Sequence, residues 1–261
     1  MEKETLALHG VTVVVTRPAK QATGLCQLIE QQGGTAICFP SLEIKEPDHP
    51  EKAALRLQQL EQFDTVIFVS RNAVAWSAHH IGGKLPTQIQ LVAVGKSTGE
   101  ALRKQWQHPI ISPKKGSNSE AILALPEMQN VSGQHILIVR GQGGRELLAE
   151  QLSQRGAQVE YAEVYKRNRP NVSLSSLQAS VGIDLISATS NEILQNLYDM
   201  AREEKGTQTR DWLLAQPLVV ISQRTADLST KLGFTYPATI ATEASDTGLL
   251  NAMIQWHSHN K

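Results

Sequence analysis

Residues 11–37, "VTVVVTRPAKQATGLCQLIEQQGGTAI", and residues 135–161, "HILIVRGQGGRELLAEQLSQRGAQVEY", have the same plan. Each runs from a β-rich apolar strand through an arginine and a polar loop into an amphipathic helix that stops at glycine. The spacing agrees: Arg17 to Gly33 and Arg140 to Gly156 are both sixteen residues. A repeat of this kind implies one supersecondary unit used twice, and the same duplication should extend through the rest of the chain.

Three further pairs of segments match. "FDTVIFVSRNAVAWSAHH" (63–80) parallels "IDLISATSNEILQNLYDM" (183–200), with Asp64 to Ser70 and Asp184 to Ser190 equally spaced. "LVAVGKSTGEAL" (91–102) parallels "LVVISQRTADL" (218–228), and "SNSEAILAL" (117–125) parallels "EASDTGLLNAM" (243–253). These pairings place Thr98 opposite Thr225 and Ser119 opposite Ser245. Both residue types suit a helix N-cap. The strands "TVIFV", "LVAV", "ILIV" and "LVVI" are nearly continuous apolar runs, each followed by a helix. Such runs indicate parallel sheets covered on both faces. The expected fold is therefore α/β, with two flavodoxin-like parallel-sheet domains. Between the units, "CFPSLEIKEP" (38–47) and "VEYAEVYKRNRP" (159–170) read as extended segments, not helices. Pairing them gives a two-stranded β connector at 39–45 and 160–167. Domain one is then discontinuous, 1–38 with 168–261, and domain two is 46–159.

With 261 residues and 41% hydrophobic content, the chain can bury a substantial core. Its 25 Lys+Arg against 25 Asp+Glu give no broad basic footprint, so no nucleic-acid partner is expected. The amino-terminal stretch develops no signal-like apolar region, and no run approaches the ~18 apolar residues of a membrane span. A cytoplasmic protein without membrane contact is expected. Cys26 and Cys38 read as reduced thiols, and no cysteine-histidine cluster has zinc spacing.

In open parallel sheets, ligands bind beyond the carboxyl ends of the strands. That rule selects six loops: 16–18, 70–72, 95–98, 140–144, 189–191 and 222–225. All are short, polar and rich in small residues, and free amide N–H groups at helix N-termini favour anions such as carboxylates or phosphates. The candidate binding residues are Arg17, Ser70, Arg71, Asn72, Gly95, Lys96, Thr98, Arg140, Gly141, Gly143, Thr189, Ser190, Arg224 and Thr225. Two nucleotide signatures fail. "GQGGRE" has Glu146 where the dinucleotide motif needs glycine, and "GKS" at 95–97 has Gln90 where a phosphate loop needs its first glycine. The residues alone thus reach a two-domain α/β protein with small-residue anion loops.

The chain resembles the uroporphyrinogen-III synthase family. The resemblance is carried by "VTRP" (15–18), "FPSLEI" (39–44), "SRNAV" (70–74), "VGKST" (94–98), "PEMQN" (126–130), "LIVRGQGGRELLAEQLSQRGAQVEYAEVYKR" (137–167) and "SQRTADL" (222–228), in order along the chain. It implies two domains joined by a two-stranded ladder, with the linear tetrapyrrole hydroxymethylbilane in the interdomain cleft. Neither cofactor nor metal is implied. The reaction would lose water, close the ring and invert the last pyrrole. The resemblance makes Tyr165, in "EVYKR", the catalytic residue, its phenol donating to the departing hydroxyl. A packing role remains open, because the repeat puts Leu42 at the matching place. The expected protein is a monomer whose other contacts are transient ones with neighbouring pathway enzymes. A two-domain small-anion binding protein without catalytic activity is the alternative, and a dehydrogenase or glycosyltransferase is a third.

Overall fold

The structure is a computed structural model and describes residues 6–82, 85–179 and 182–260. Residues 1–5 and 261, the ends assigned above to domain one, lie outside the described residues. The chain divides into two compact units, Met1–Glu43 with Asn168–Lys261, and Ile44–Arg167.

In chain order the first unit opens with β1 (Thr12–Val15), α1 (Ala19–Gln31) and β2 (Thr35–Cys38). The second unit follows with β3 (Glu43–Lys45), α2 (Pro50–Gln58), β4 (Thr65–Phe68), α3 (Arg71–Ile81), β5 (Gln90–Ala93) and α4 (Lys96–Gln105). It continues through β6 (Ile110–Ile111), α5 (Ser119–Leu123), β7 (His135–Gly141), α6 (Leu147–Gln154) and β8 (Gln158–Asn168). The first unit resumes with α7 (Ser175–Gln178), β9 (Leu185–Ala188), α8 (Asn191–Glu203), α9 (Gln208–Leu214), β10 (Leu218–Val220), α10 (Gln223–Leu232), β11 (Thr239–Ile240) and α11 (Asp246–His259).

The first unit's sheet has the order β11-β10-β9-β1-β2, and its pairings are all parallel. Numbered within the unit, this is the 2-1-3-4-5 order of a flavodoxin-like sheet read from its other edge. The second unit's sheet has the order β3-β8-β7-β4-β5-β6. Starting the count at β7, the five strands after β3 repeat the same order as a circular permutation. β8, which holds the 160–167 segment expected to pair with 39–45, stands in this sheet between β3 and β7. β8 pairs in parallel with β7 from Gln158↔His135 to Tyr165↔Gly141, with an irregularity between Arg140 and Gly141. The physical reason is that β7 would otherwise expose its outer edge, which β8 covers.

Apolar runs in the strands face two cores. Val14 of β1 enters one cluster, while Val13 and Val15 enter another. Likewise Val66 and Phe68 of β4 face one side and Ile67 the other. The matched glycine stops, Gly33 and Gly156, both take a left-handed φ, +77° and +89°, which a side chain would oppose. No helix among the described residues is long and apolar enough to cross a membrane.

The repeated aspartates close each sheet. Asp184 donates its N–H to the Thr12 carbonyl (3.0 Å) and accepts the Thr12 N–H on Oδ2 (2.8 Å). Asp64 makes the same exchange with His135, at 2.9 and 2.8 Å. Asp184→Ala leaves a half-buried N–H without its acceptor and should cost about 1–3 kcal/mol. Asp64→Ala should cost less, because water can replace the carboxylate at its more exposed site. Urea denaturation of both variants checks the order, and an unchanged midpoint for Asp184→Ala would refute it.

Candidate active site

Most residues singled out in the sequence stand just beyond the carboxyl ends of the parallel strands of each unit, while Arg140 and Gly141 are the last two residues of β7 and Tyr165 lies within β8. Serines cap the helices that follow. Ser70, Ser190, Ser222 and Ser245 accept the N–H groups of Ala73, Ile193, Thr225 and Gly248 at 3.0–3.3 Å. Three of the four N-caps expected above are therefore shifted. Gly95 precedes α4, Asn118 caps α5 and Ser222 caps α10, which leaves Thr98 and Thr225 inside the first turn. Both threonines are buried, and Thr225 Oγ1 donates to Asn191 Oδ1 at 3.0 Å. Thr225 therefore ties the start of α10 to the start of α8. Thr189 is half-buried, and Gly95 lies so close to Ser117 that a Cβ would stand 2.5 Å from its Oγ.

The two matched arginines are engaged within their own units. Arg17 pairs with Asp246 at the start of α11 and donates to the Gln21 carbonyl. Arg140 is only 7% exposed. Its Nε and Nη2 reach Glu163 Oε1 at 3.2 and 3.0 Å, and Nη2 also reaches Glu146 Oε1 at 2.9 Å. Its Nη1 reaches the carbonyls of Gly144 and Arg145 at 3.4 and 3.3 Å. The Tyr161 ring lies beneath the guanidinium, 3.6 Å from its centroid to the guanidinium carbon, and the Tyr161 hydroxyl donates to Glu146. Burial pulls the Arg140 pKa down, but the bonds to Glu146 and Glu163 outweigh it and hold it above its ordinary value. Burial and the Glu146 carboxylate push the Tyr161 phenol upward, so it remains a donor.

By contrast, Arg71, Lys96, Arg145 and Arg224 are exposed, and none is in an ion pair among the described residues. Asn72 is half-buried beside Arg71. Arg145 was not among the residues expected from sequence, although it is the second arginine of "RGQGGRE". The carbonyls of Gly144 and Arg145 face Arg140. Planar trans peptides therefore turn the N–H groups of Arg145 and Glu146 the other way, and neither donates to another group among the described residues. Gly143 directs its own N–H to Glu163 Oε1 at 3.3 Å. A cavity of about 320 Å³ opens here in the second unit. Val69, Val94, Ile138 and Leu148 give it apolar walls, while Asn118 and Arg145 supply polar ones and the mutually engaged Arg140 and Tyr161 lie in its lining. It can take a planar apolar ring that carries carboxylates.

Tyr165 sits deeper. It is 2% exposed, packs in the second unit's core, and its hydroxyl is 3.1 Å from Ser70 Oγ. A Cβ on Gly141 would stand 2.6 Å from the Tyr165 ring, so glycine at 141 is what lets the ring pack this close to β7.

The profile of the family described as uroporphyrinogen-III synthase HemD matches residues 24–251. Uroporphyrinogen-III synthase of Salmonella typhimurium is 32% identical over 249 residues, 93% of this chain and all of the relative. The Escherichia coli enzyme is 30% identical over the same shares. The chain belongs to the uroporphyrinogen-III synthase family. The fold agrees. A crystal structure of a mutant uroporphyrinogen III synthase from Thermus thermophilus superposes with TM-score 0.62 at 16% identity, covering 96% of this chain and 100% of that one. The Helicobacter pylori synthetase gives 0.56 at 15%, covering 94% and 99%. Uroporphyrinogen-III synthases are hydro-lyases, and on this chain the catalytic tyrosine inferred from the resemblance falls at the buried Tyr165.

The hydrogen bond from Tyr161 and the Arg140 guanidinium hold the Glu146 carboxyl below its ordinary 4.5. Its contribution to stability is present above that value and is lost as pH falls through the lower, folded one. The difference in Tm between the wild-type chain and Glu146→Gln should therefore be present at pH 7 and be lost as pH falls from 4.5 through the lowered folded value. A pH-independent difference would show that charge plays no part.

Proposed function

We infer that this chain closes the linear tetrapyrrole hydroxymethylbilane to uroporphyrinogen III, losing water and inverting the last pyrrole ring. The similarity over 93% of the chain to relatives of that activity carries the inference. The loop chemistry supports it. The substrate is a polyanion of pyrroles, and the exposed Arg71, Lys96, Arg145 and Arg224 offer cations without internal partners. The free N–H groups of Arg145 and Glu146 add directional donors. Ser70, Asn72, Gly95, Thr189 and Ser190 belong to the same strand-end loops. We assign Thr98, Gly141, Gly143, Thr225 and Arg17 to shaping them.

The pyrrole nitrogen can itself expel the hydroxyl, so the protein's harder task is to hold the chain folded for the inverted closure. Positioning dominates. In this reading Tyr165 acts on the departing hydroxyl through Ser70, whose Oγ it meets, because the phenol is covered by the core. Water loss then draws on a hydroxyl pair with one buried end.

Coupling the chain to the preceding deaminase should give the type III isomer, and only the spontaneous type I isomer would refute the inference. Tyr165→Phe should lower turnover several-fold while the protein stays folded, since one neutral hydrogen bond contributes about 1 kcal/mol. Ser70→Ala should lower it in the same way. Unchanged turnover in Tyr165→Phe would make Tyr165 a packing residue.

A further inference from the structure

A guanidinium has five N–H donors, and Arg140 makes five contacts, all to atoms of its own unit. One face of its plane is covered by Tyr161. A side chain so occupied has no donor left for a substrate carboxylate unless it first gives up Glu146 or Glu163. We propose that Arg140 is a positioning residue for the reaction: with Glu146, Glu163 and Tyr161 it braces the 142–146 loop in the shape that receives the substrate, and it does not touch the substrate itself. This rests on the reading that the chain acts on a linear tetrapyrrole at the strand-end loops.

The stretch 141–146 contains three glycines, Gly141, Gly143 and Gly144. Glycine loses the most conformational freedom on ordering, so a loop of this composition stays in one shape only if other groups hold it. The brace does this from three directions. Arg140 lies on β7 and takes two loop carbonyls. Glu163 comes from β8 and takes the Gly143 N–H as well as the guanidinium. Tyr161, also on β8, holds Glu146 at the far end of the loop. The repeat sharpens the point. The matching first-unit loop has Pro18 where this one has Gly141, and among the described residues Arg17 there pairs with one carboxylate and no ring. Proline restricts the backbone by itself, whereas the glycine loop needs the brace.

Glu146→Gln separates the two roles by sign. Its carboxylate is 52% exposed, so the variant should fold. If Arg140 is a brace, weakening its contact to Glu146 loosens the loop, and KM for hydroxymethylbilane rises about tenfold, the effect of one charge-assisted hydrogen bond, with kcat nearly unchanged. Amide exchange at 143–147 should become faster. If Arg140 instead binds a substrate carboxylate, removing a competing protein carboxylate frees it and KM falls. Arg140→Lys gives a second reading: a brace is not rescued by lysine, which cannot make five contacts in a fork. A lowered or unchanged KM in Glu146→Gln, or near-normal KM in Arg140→Lys, overturns the proposal. A wild-type chain that yields only the type I isomer overturns the underlying reading instead.

Discussion

The pairing of β1 with β9 is the constraint on which the rest of the first unit depends. It joins residues about 170 positions apart, Val13↔Leu185 through Val15↔Ser187. Asp184 fixes its register by exchanging hydrogen bonds with both backbone groups of Thr12. Closing so long a loop is entropically expensive in absolute terms, but its cost grows only logarithmically with length. A single well-defined register with buried apolar strands on both faces is enough to offset it. The second unit meets the same requirement over a shorter span, with Asp64 on His135. The duplicated aspartate is thus what lets a chain that leaves one sheet, builds another and returns find its first strand again.

Once the strands are in register, their carboxyl ends deliver small polar residues to helix starts. Serine recurs there because its hydroxyl accepts the third helical N–H while occupying little space. The cap oxygen accepts a backbone N–H but keeps its own proton, so a cap hydroxyl such as Ser70 stands beside the exposed cations and a few unpaired amides as a group that can meet a ligand. The two arginines at matched positions took the opposite course. Each closes on carboxylates of its own unit, Arg17 on Asp246 and Arg140 on Glu146 and Glu163. Burying a guanidinium without such partners would be costly, and two carboxylates with a ring beneath it remove that cost.

What the sequence showed and concealed follows from the range of the interactions involved. Repeats, apolar runs and glycine stops are local, and they were enough to give the α/β architecture, its two parallel sheets and the loops at the strand ends. The cap positions were misread by three residues at Thr98 and Thr225, because serine, glycine and threonine all occur within one turn and only backbone geometry selects among them. The second neighbour of 160–167 was hidden: an alternating pattern suits pairing with β3, and nothing in it names β7 as the strand on its other side. The partners of Arg140 were hidden too. Glu163 and Tyr161 reach it from the neighbouring strand, and which of their side chains face it depends on the register of β7 and β8. Nothing in "RGQGGRE" encodes that register. Tyr165 is similar: a phenol in "EVYKR" looks available, and only the contact with Gly141 and Ser70 shows it buried.

A chain with no net charge that takes a polyanion must hold its cations where its own acids cannot reach them. Two carboxylates at the 142–146 loop, Glu146 and Glu163, are already occupied by Arg140 and Tyr161, and neither pairs with Arg145. The buried arginine therefore matters to binding without contributing charge to it: it ties up the acids that would otherwise compete with a substrate carboxylate. Lysine could neutralise one carboxylate but lacks the fork to hold two acids and two carbonyls in fixed directions. Arginine is the side chain that this arrangement requires, and its burial is a condition of that role.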